Sequence, residues 1–383
     1  MIVGQIGRYP PQMTHDHEVR PKCLNVRFRH SGRNGHAARQ ALAAECLCGP
    51  LACGTVAQEE GLVREWQAPF TVDIRLTLGV HGRGRSDPTF RIDETGAVWR
   101  TSLTPDGPAT IRVTGRVSTD PPVDPCDPPA GVSGASAGTR VVAHAWGPGA
   151  GWLLDQLPAA LGRDDDASGF DPGAHPVLSE VTSRHPGLRL GRTGRLMEAL
   201  VPAILEQKVV GAEAHRAWRF LLARFGTPPP GPAPAGMRVF PDAKTWRRVP
   251  SWEWHRAGVE GVRAQTIFQA VSVADSLERL LAHSSVEADR GLRTIPGIGL
   301  WTSAETLQRA AGDPDAVSVG DYHLPKAVGW VLAGREATDD AAMLELLAPY
   351  AGHRHRVTRL VELSGMGPPR RGPHMAVRDY RGF

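Results

Sequence analysis

The strongest constraint on this chain is a short turn, Pro296-Gly297-Ile298-Gly299, between two stretches with helical periodicity. Proline fixes one backbone dihedral, while both glycines permit positive φ and let another backbone come close. Apolar residues recur at roughly helical spacing on both sides of the turn, at Val286, Leu292, Ile295, Leu300, Ala304 and Leu307. The pattern predicts two helices joined by a tight hairpin.

The backbone amides after this hairpin would lie at the N-terminus of the second helix. Amides in that position attract anions through hydrogen bonds and the helix dipole. The geometry suits a phosphate and carries no information about a base. An ordinary helix connection stabilised by Pro and Gly explains the same residues, because short glycine patterns are common.

Asp321 follows Gly299 by 22 residues. This interval accommodates a helix of about 11 residues and a loop before another helix near Tyr322. An aspartate at that point is consistent with a helix N-cap. As an isolated residue, an aspartate here would more often be such a cap than a catalyst.

The stretch from Leu292 to Lys326 resembles the signature of the helix-hairpin-helix DNA glycosylase superfamily, in which the segment after the hairpin ends in a catalytic aspartate. Other stretches resemble the bacterial 3-methyladenine DNA glycosylase II (alkylbase glycosylase) branch, in the same order as in that branch. They are Arg184–Leu190, Leu200–Gln207, Val239–Pro241, Gly258–Ile267 and His353-Arg354. The resemblance covers about residues 170 to 365, with weaker support from about 65 to 170.

The resemblance implies an α+β chain in which a small antiparallel sheet domain precedes an all-α helix-hairpin-helix glycosylase domain. We expect a disordered extension over 1–63, the sheet domain over 64–172, the helical domain over 173–366 and a basic tail over 367–383.

The periodicity of the residues supports this organisation. Alternating apolar residues predict strands at 72–78, 89–93, 97–103, 109–117 and 139–146, and a helix follows over 152–161. The segment 118–138, dense in Pro, Gly, Ser and Asp, predicts a flexible excursion. We interpret Gly147–Gly151 as a strand-to-helix turn, and Asp164–Asp166 as a solvated acidic loop rather than a metal chelate.

Residue roles follow from the resemblance. It implies that Asp321 is catalytic and that Trp301, Glu305 and Gln207 line the base pocket. It implies DNA contacts from Lys208 and from the hairpin region, at Pro296, Gly297, Ile298, Gly299 and Thr302. The carbonyls of Thr294 and Ile295 are a candidate site for a monovalent cation, and no other metal and no cofactor are expected.

Several residues decide which kind of glycosylase the resemblance implies. Trp301 occupies the place where strand-cutting members carry the lysine that forms a Schiff base, so we expect a monofunctional enzyme. Iron-sulfur members have four closely spaced cysteines after the catalytic domain, and this chain has no cysteine beyond Cys126.

The alkylbase branch commonly has an apolar wedge where this chain has Lys208, which could reach a phosphate, face the orphan base or lie on the surface. Glu305 replaces an aromatic residue, and it could attract a cationic base, accept an amino proton or face solvent.

The expected activity is excision of alkylated purines such as 3-methyladenine from double-stranded DNA, in base excision repair. A methylated purine is cationic on its sugar, so its bond breaks with little acid assistance through an oxocarbenium-like transition state. An ionised carboxylate stabilises that charge and orients water. Two alternatives remain open, a helix-hairpin-helix DNA-binding protein that has lost activity and a glycosylase for oxidised or deaminated purines.

Composition allows this interpretation without requiring it. The formal net charge is +4 over 383 residues, which supports a nucleic-acid partner only weakly. The spacing of Cys23, Cys46, Cys48 and Cys53 differs from that of zinc fingers, and free thiols in a reducing cytosol explain these cysteines more simply. No apolar run approaches the roughly 20 residues of a membrane span. We therefore expect a cytoplasmic, nucleoid-associated monomer.

Overall fold

The computed structural model describes residues 61–118 and 138–369. All five cysteines, the extension up to residue 60, the excursion over 119–137 and the tail from 370 lie outside the described residues. The predictions made for these segments are therefore not addressed by the structure.

The first part of the described chain is a five-stranded antiparallel sheet of order β1-β5-β4-β3-β2. The strands are β1 Leu62–Ala68, β2 Phe90–Ile92, β3 Val98–Thr104, β4 Gly107–Ser118 and β5 Gly138–Trp146. Four of them match predicted strands. Strand β1 was not predicted, because it begins inside the segment assigned to the extension.

The strand predicted over residues 72–78 is wrong, since Ile74–Leu78 form a short helix, α1. Asp73 caps it by accepting a hydrogen bond from the amide of Leu76 at 2.9 Å. Ile74, Thr77 and Leu78 are buried, which is the i, i+3, i+4 spacing of a helix. The alternating pattern misled because Thr77, counted as a polar outward residue, lies inside the fold.

The rest of the described chain is mostly helical. Its helices are α2 Ala150–Ala160, α3 Pro176–Arg184, α4 Leu196–Leu205, α5 Gly211–Phe225, α6 Ala243–Arg247, α7 Ser251–Ala257, α8 Gly261–Ser272, α9 Ala274–Arg279, α10 Ser285–Leu292, α11 Leu300–Ala310, α12 Leu324–Ala333, α13 Asp340–Leu347 and α14 Arg354–Leu363. Gly147 to Gly149 form the predicted turn between β5 and α2. An α+β fold is therefore confirmed.

Three hydrophobic clusters account for most of the buried side chains in the described residues. One joins the sheet to α1 and α2, a second surrounds α4, and a third packs α3, α12, α13 and α14 together. Every residue of α4 except Glu198 is buried, so this helix is the centre of the second cluster. Helix α11 packs along α4, and the loop that follows α11 leads into the third cluster.

Glu198, the polar residue of α4, joins the sheet to the helices. Its carboxylate accepts hydrogen bonds from Arg100, from the Ser102 hydroxyl and from the amide of Leu103, all on β3. The guanidinium and the carboxylate are both largely buried. A buried charge needs such a full set of partners, so this contact fixes the sheet against α4.

The acidic loop Asp164–Asp166 is more structured than predicted. Asp165 is almost fully buried and pairs with Arg356 of α14, and Asp164 pairs with Arg163 and Arg192. Across residues 61–118 and 138–369, no group of three or more His, Cys, Asp or Glu side chains is arranged to hold a metal ion. In the same ranges, no helix is both long and apolar enough to cross a bilayer.

Candidate active site

The predicted hairpin lies between α10 and α11, and its two glycines differ in conformation. Gly297 has φ of +92°, and a Cβ built there would lie 2.2 Å from the Thr266 hydroxyl oxygen. Gly299 has φ of −103°, and a Cβ there would meet nothing within 4 Å. The prediction of a tight glycine turn is therefore right for Gly297. Gly299 is not required by the fold, and it lies exposed at the start of α11.

Gln207, predicted in the base pocket, braces the hairpin from the end of α4. Its side-chain amide donates to the carbonyl of Gly297 at 2.9 Å and to the Thr302 hydroxyl at 2.8 Å. Thr302 is only 2% exposed, and its backbone carbonyl accepts a hydrogen bond from the Thr306 hydroxyl within α11. The Thr302 side chain therefore lies in the interior, and its predicted contact with DNA stays a prediction. The side chain of Ile298 is likewise buried in the core.

Asp321 and Trp301 meet in space, 20 positions apart in the chain. One carboxylate oxygen of Asp321, Oδ1, accepts from the backbone amides of His323 and Leu324 at 2.7 and 2.8 Å. The other, Oδ2, accepts from the indole Nε1–H of Trp301 at 3.2 Å. Both residues are partly exposed. The carboxylate therefore binds the amides at the start of α12 and also lies at the edge of a partly exposed aromatic ring.

Glu305 lies one helical turn after Trp301, and its carboxylate has partners within the protein. Oε2 accepts from the guanidinium of Arg309 at 2.7 Å, and Oε1 accepts from the hydroxyl of Ser318 at 2.6 Å. Arg309 also donates to the carbonyls of Val80 and Glu305. Burial would lower the pKa of Arg309, but Glu305 and Glu206 outweigh it and raise that pKa.

A second ion pair supports the turn that carries Lys208. Arg83, in the segment between α1 and β2, donates to both carboxylate oxygens of Glu206 at 2.8 Å. Burial would raise the pKa of Glu206, but Arg83, His215 and Arg309 together outweigh it and lower the pKa from 4.5 to about 2. The sequence did not predict the pair of Arg83 and Glu206, because nothing in the local pattern joins residues that are 123 positions apart.

Lys208 has φ of +55°, and it is the one non-glycine residue with positive φ in the part of the chain that the structure describes. Its side chain is exposed. The left-handed conformation costs an L-residue roughly 1–2 kcal/mol, and it persists here beside the bonded side chains of Glu206 and Gln207. Strain of this kind is frequent at functional sites.

The expected monovalent cation site stays a prediction. The carbonyl of Ile295 accepts the amide of Ile298 at 3.0 Å, which closes the turn. Thr294 is exposed, and its hydroxyl donates to the carbonyl of Gly291.

Sequence comparison finds curated relatives for part of this chain. The chain is 32% identical over 214 residues to the probable bifunctional transcriptional activator/DNA repair enzyme AlkA of Mycobacterium tuberculosis, in each of two strains. The alignment covers 55% of this chain and 42% of that relative, so the chain matches less than half the length of these curated relatives. No family model matches the chain.

Solved structures show the same fold. A 3-methyladenine DNA glycosylase from Archaeoglobus fulgidus superimposes with a TM-score of 0.60 at 16% identity, covering 79% of this chain and 98% of that one. The 8-oxoguanine glycosylase/lyase of Clostridium acetobutylicum, in complex with double-stranded DNA, gives a TM-score of 0.56 at 11% identity, covering 80% of this chain and 94% of that one.

The chain therefore has the fold of these DNA glycosylases, and over 214 residues it is similar in sequence to AlkA. The hairpin, the aspartate before the next helix and the braced turn after α4 all lie within this shared fold.

Replacing Gly297 by alanine should destabilise the protein by at least about 1–2 kcal/mol, because of its positive φ and the contact with Thr266. Gly299→Ala is the matched control and should change stability by less than about 1 kcal/mol. Urea unfolding measures both. Equal losses of stability in the two variants would contradict the conclusion that the turn requires glycine at position 297 and not at position 299.

Glu206→Gln should lower the free energy of unfolding by roughly 3 kcal/mol at pH 7. A carboxylate whose pKa is depressed in the folded state stabilises that state above its unfolded pKa, and the effect is lost as pH falls through the folded value. The difference between wild type and variant should therefore be constant above about pH 5 and shrink towards pH 2.

Denaturant unfolding at a series of pH values measures this difference. Glu345→Gln, on the exposed face of α13, is the control for removal of a surface carboxylate. A Glu206→Gln difference that persists unchanged at low pH would show that the lost stability does not come from the charge of Glu206.

Proposed function

We propose that this protein is a monofunctional DNA glycosylase that excises alkylated purines of the 3-methyladenine type from double-stranded DNA. The observation that carries the proposal is the contact between Trp301 and Asp321. An aromatic face that can stack on a base adjoins a carboxylate that can act on its sugar. The hairpin ends at Gly299, immediately before α11 begins, so it adjoins Trp301 in the chain.

DNA binding is supported by the geometry of the hairpin. Pro296, Gly297 and Gly299 are exposed, and α11 starts without a side-chain cap. Its first amides therefore suit a phosphate oxygen, with the helix dipole adding to the attraction. A solved neighbour of the same fold was crystallised with double-stranded DNA.

Base removal requires that the nucleotide leave the stack, at a cost of a few kcal/mol. We assign Lys208 to the gap that the base leaves, since its turn is braced through Gln207 directly to the hairpin. The extruded base would then stack on Trp301. Cationic purines interact favourably with an electron-rich indole, and the pyrrole edge of the same ring orients Asp321.

The chemical step follows from the carboxylate. As the bond between sugar and base breaks, positive charge develops at C1′, and the negative charge of Asp321 stabilises it. The same carboxylate can orient or deprotonate the attacking water. Trp301 offers no amine for a Schiff base, so the strand should stay intact after base release.

Asp321→Asn should reduce base release at least about a hundredfold, because the neutral amide cannot stabilise the oxocarbenium charge. Binding to a duplex with an abasic-site analogue should stay within a few-fold of wild type. Single-turnover assays on methylated, hypoxanthine-containing and 8-oxoguanine-containing duplexes measure the rates. Borohydride trapping, which detects a Schiff base, tests for strand cleavage.

The outcomes of that panel separate the candidates. Near wild-type base release by Asp321→Asn would contradict the assigned role. DNA binding by wild type with no base release from any duplex would indicate a binding protein instead. Faster release of hypoxanthine or 8-oxoguanine than of methylated purines would indicate the other substrate class.

Lys208→Gly should raise stability by about 1 kcal/mol, because glycine adopts positive φ without strain. It should also slow base release from fully paired duplexes about tenfold, with a smaller effect on mispaired lesions that leave the stack easily. Lys208→Ala is the matched variant, since it loses the same side chain and keeps the strain. If both variants release base from paired duplexes as fast as wild type, Lys208 has no part in extrusion.

A further inference from the structure

The loop between α11 and α12, residues 311–323, carries Asp321 and is attached to α11 by side chains at three successive levels. Trp301 donates to the Asp321 carboxylate. One turn later, Glu305 accepts from the Ser318 hydroxyl at 2.6 Å. Near the end of the helix, Gln308 donates to the carbonyl of Ala316 at 2.9 Å and to the Ser318 hydroxyl at 3.0 Å.

Ser318 is the centre of these contacts. It is 4% exposed, and its hydroxyl has one acceptor and one donor, Glu305 and Gln308. Its backbone carbonyl accepts the amide of Asp321 at 3.2 Å. One residue therefore holds the backbone of Asp321 while its own side chain is held by α11.

The Glu305 side chain, at the α11 end of these contacts, is itself held by an ion pair. Glu305 and Arg309 form a largely buried pair, with side-chain exposures of 15% and 16%. Arg309 is itself fixed by the carbonyl of Val80, from the segment between α1 and β2. The Glu305 carboxylate thus has a cationic partner on one oxygen and the loop hydroxyl on the other, and its charge is compensated.

We propose that Glu305 is a positioning residue for Asp321, acting through Ser318, rather than a carboxylate that attracts the base. This inference rests on the proposed function of Asp321. The chain of bonds runs from Arg309 to Glu305, to Ser318 and on to the backbone of Asp321. These bonds fix the position of the Asp321 carboxylate relative to the ring of Trp301, which lies on the same helix as Glu305.

The two roles of Glu305 predict different changes in lesion preference. A free carboxylate facing the base would favour cationic methylated purines, so Glu305→Gln would slow their release more than that of neutral lesions. A positioning residue slows all lesions by a similar factor. We expect a common factor of about tenfold or more, since small displacements of a reacting group are costly.

Ser318→Ala is the sharper variant, because it breaks the connection to the loop and leaves the pair of Glu305 with Arg309 in place. It should slow single-turnover base release about tenfold, with affinity for an abasic-analogue duplex unchanged. In combination with Glu305→Gln the loss should not exceed that of the slower single variant, since both break one connection. In the Asp321→Asn background, Ser318→Ala should have no further effect on the residual rate.

The controls are Ser272→Ala, on the exposed end of α8, and Glu345→Gln. Both should keep the wild-type rate. Rates are normalised to active enzyme by titration with the abasic analogue, so that loss of folded protein does not count as loss of rate.

Amide hydrogen exchange gives a readout that does not depend on activity. The amides of His323 and Leu324 are bonded to Asp321, so Ser318→Ala should increase exchange in a peptide covering 316–324 and leave α4 unchanged. If wild type releases no base but exchange changes as expected, the proposed function fails, while the structural connection from Ser318 to the backbone of Asp321 is supported.

Three results would overturn the inference on an active wild type. They are a wild-type rate for Ser318→Ala, an equal loss of rate in the Asp321→Asn background, and a selective loss of cationic lesions in Glu305→Gln. Unchanged exchange over 316–324 in Ser318→Ala would also contradict it, whatever the activity.

Discussion

The contact between α4 and α11 is the interaction on which the candidate site depends. Helix α4 is apolar and buried at every residue except Glu198, so its position is set by the core, and α11 packs along it. The hairpin precedes α11, the Asp321 loop follows it, and the turn of Gln207 and Lys208 follows α4. A DNA phosphate, a base and a sugar would each meet a segment anchored to one rigid helix pair.

Two ion pairs then fix the Lys208 turn and the Asp321 loop, which the hydrophobic core does not hold. Glu206 is paired with Arg83, and Glu305 with Arg309. Both carboxylates also act on Arg309, whose pKa they raise against the effect of burial. Since breaking one partner of a buried pair leaves the other charge uncompensated, these residues hold the Lys208 turn and the Asp321 loop in defined positions. Both pairs depend on the segment that contains Val80 and Arg83, so the sheet part of the chain contributes to the site.

Much of this arrangement could be predicted from the sequence, because it follows from local patterns. The Pro-Gly turn, its flanking helices and the aspartate at the start of α12 are each specified within a few residues. What failed depended on which side chains are buried and on contacts between distant residues. Residues 72–78 alternate as a strand does, yet Asp73 caps a helix there and Thr77 turns inward. The partners of Glu206 and Glu305 lie on other elements, and no spacing in the sequence joins Arg83 to Glu206.

The most direct test of the central claim, that Asp321 and Trp301 act on one extruded nucleotide, is a crystal structure with a duplex that carries a cationic pyrrolidine analogue of the abasic sugar. We expect the Asp321 carboxylate to lie about 3 Å from the pyrrolidine nitrogen, the Trp301 ring beside the space for the base, and the amides after Gly297 on a phosphate. An undistorted duplex on the hairpin, with the analogue out of reach of Asp321, would contradict it.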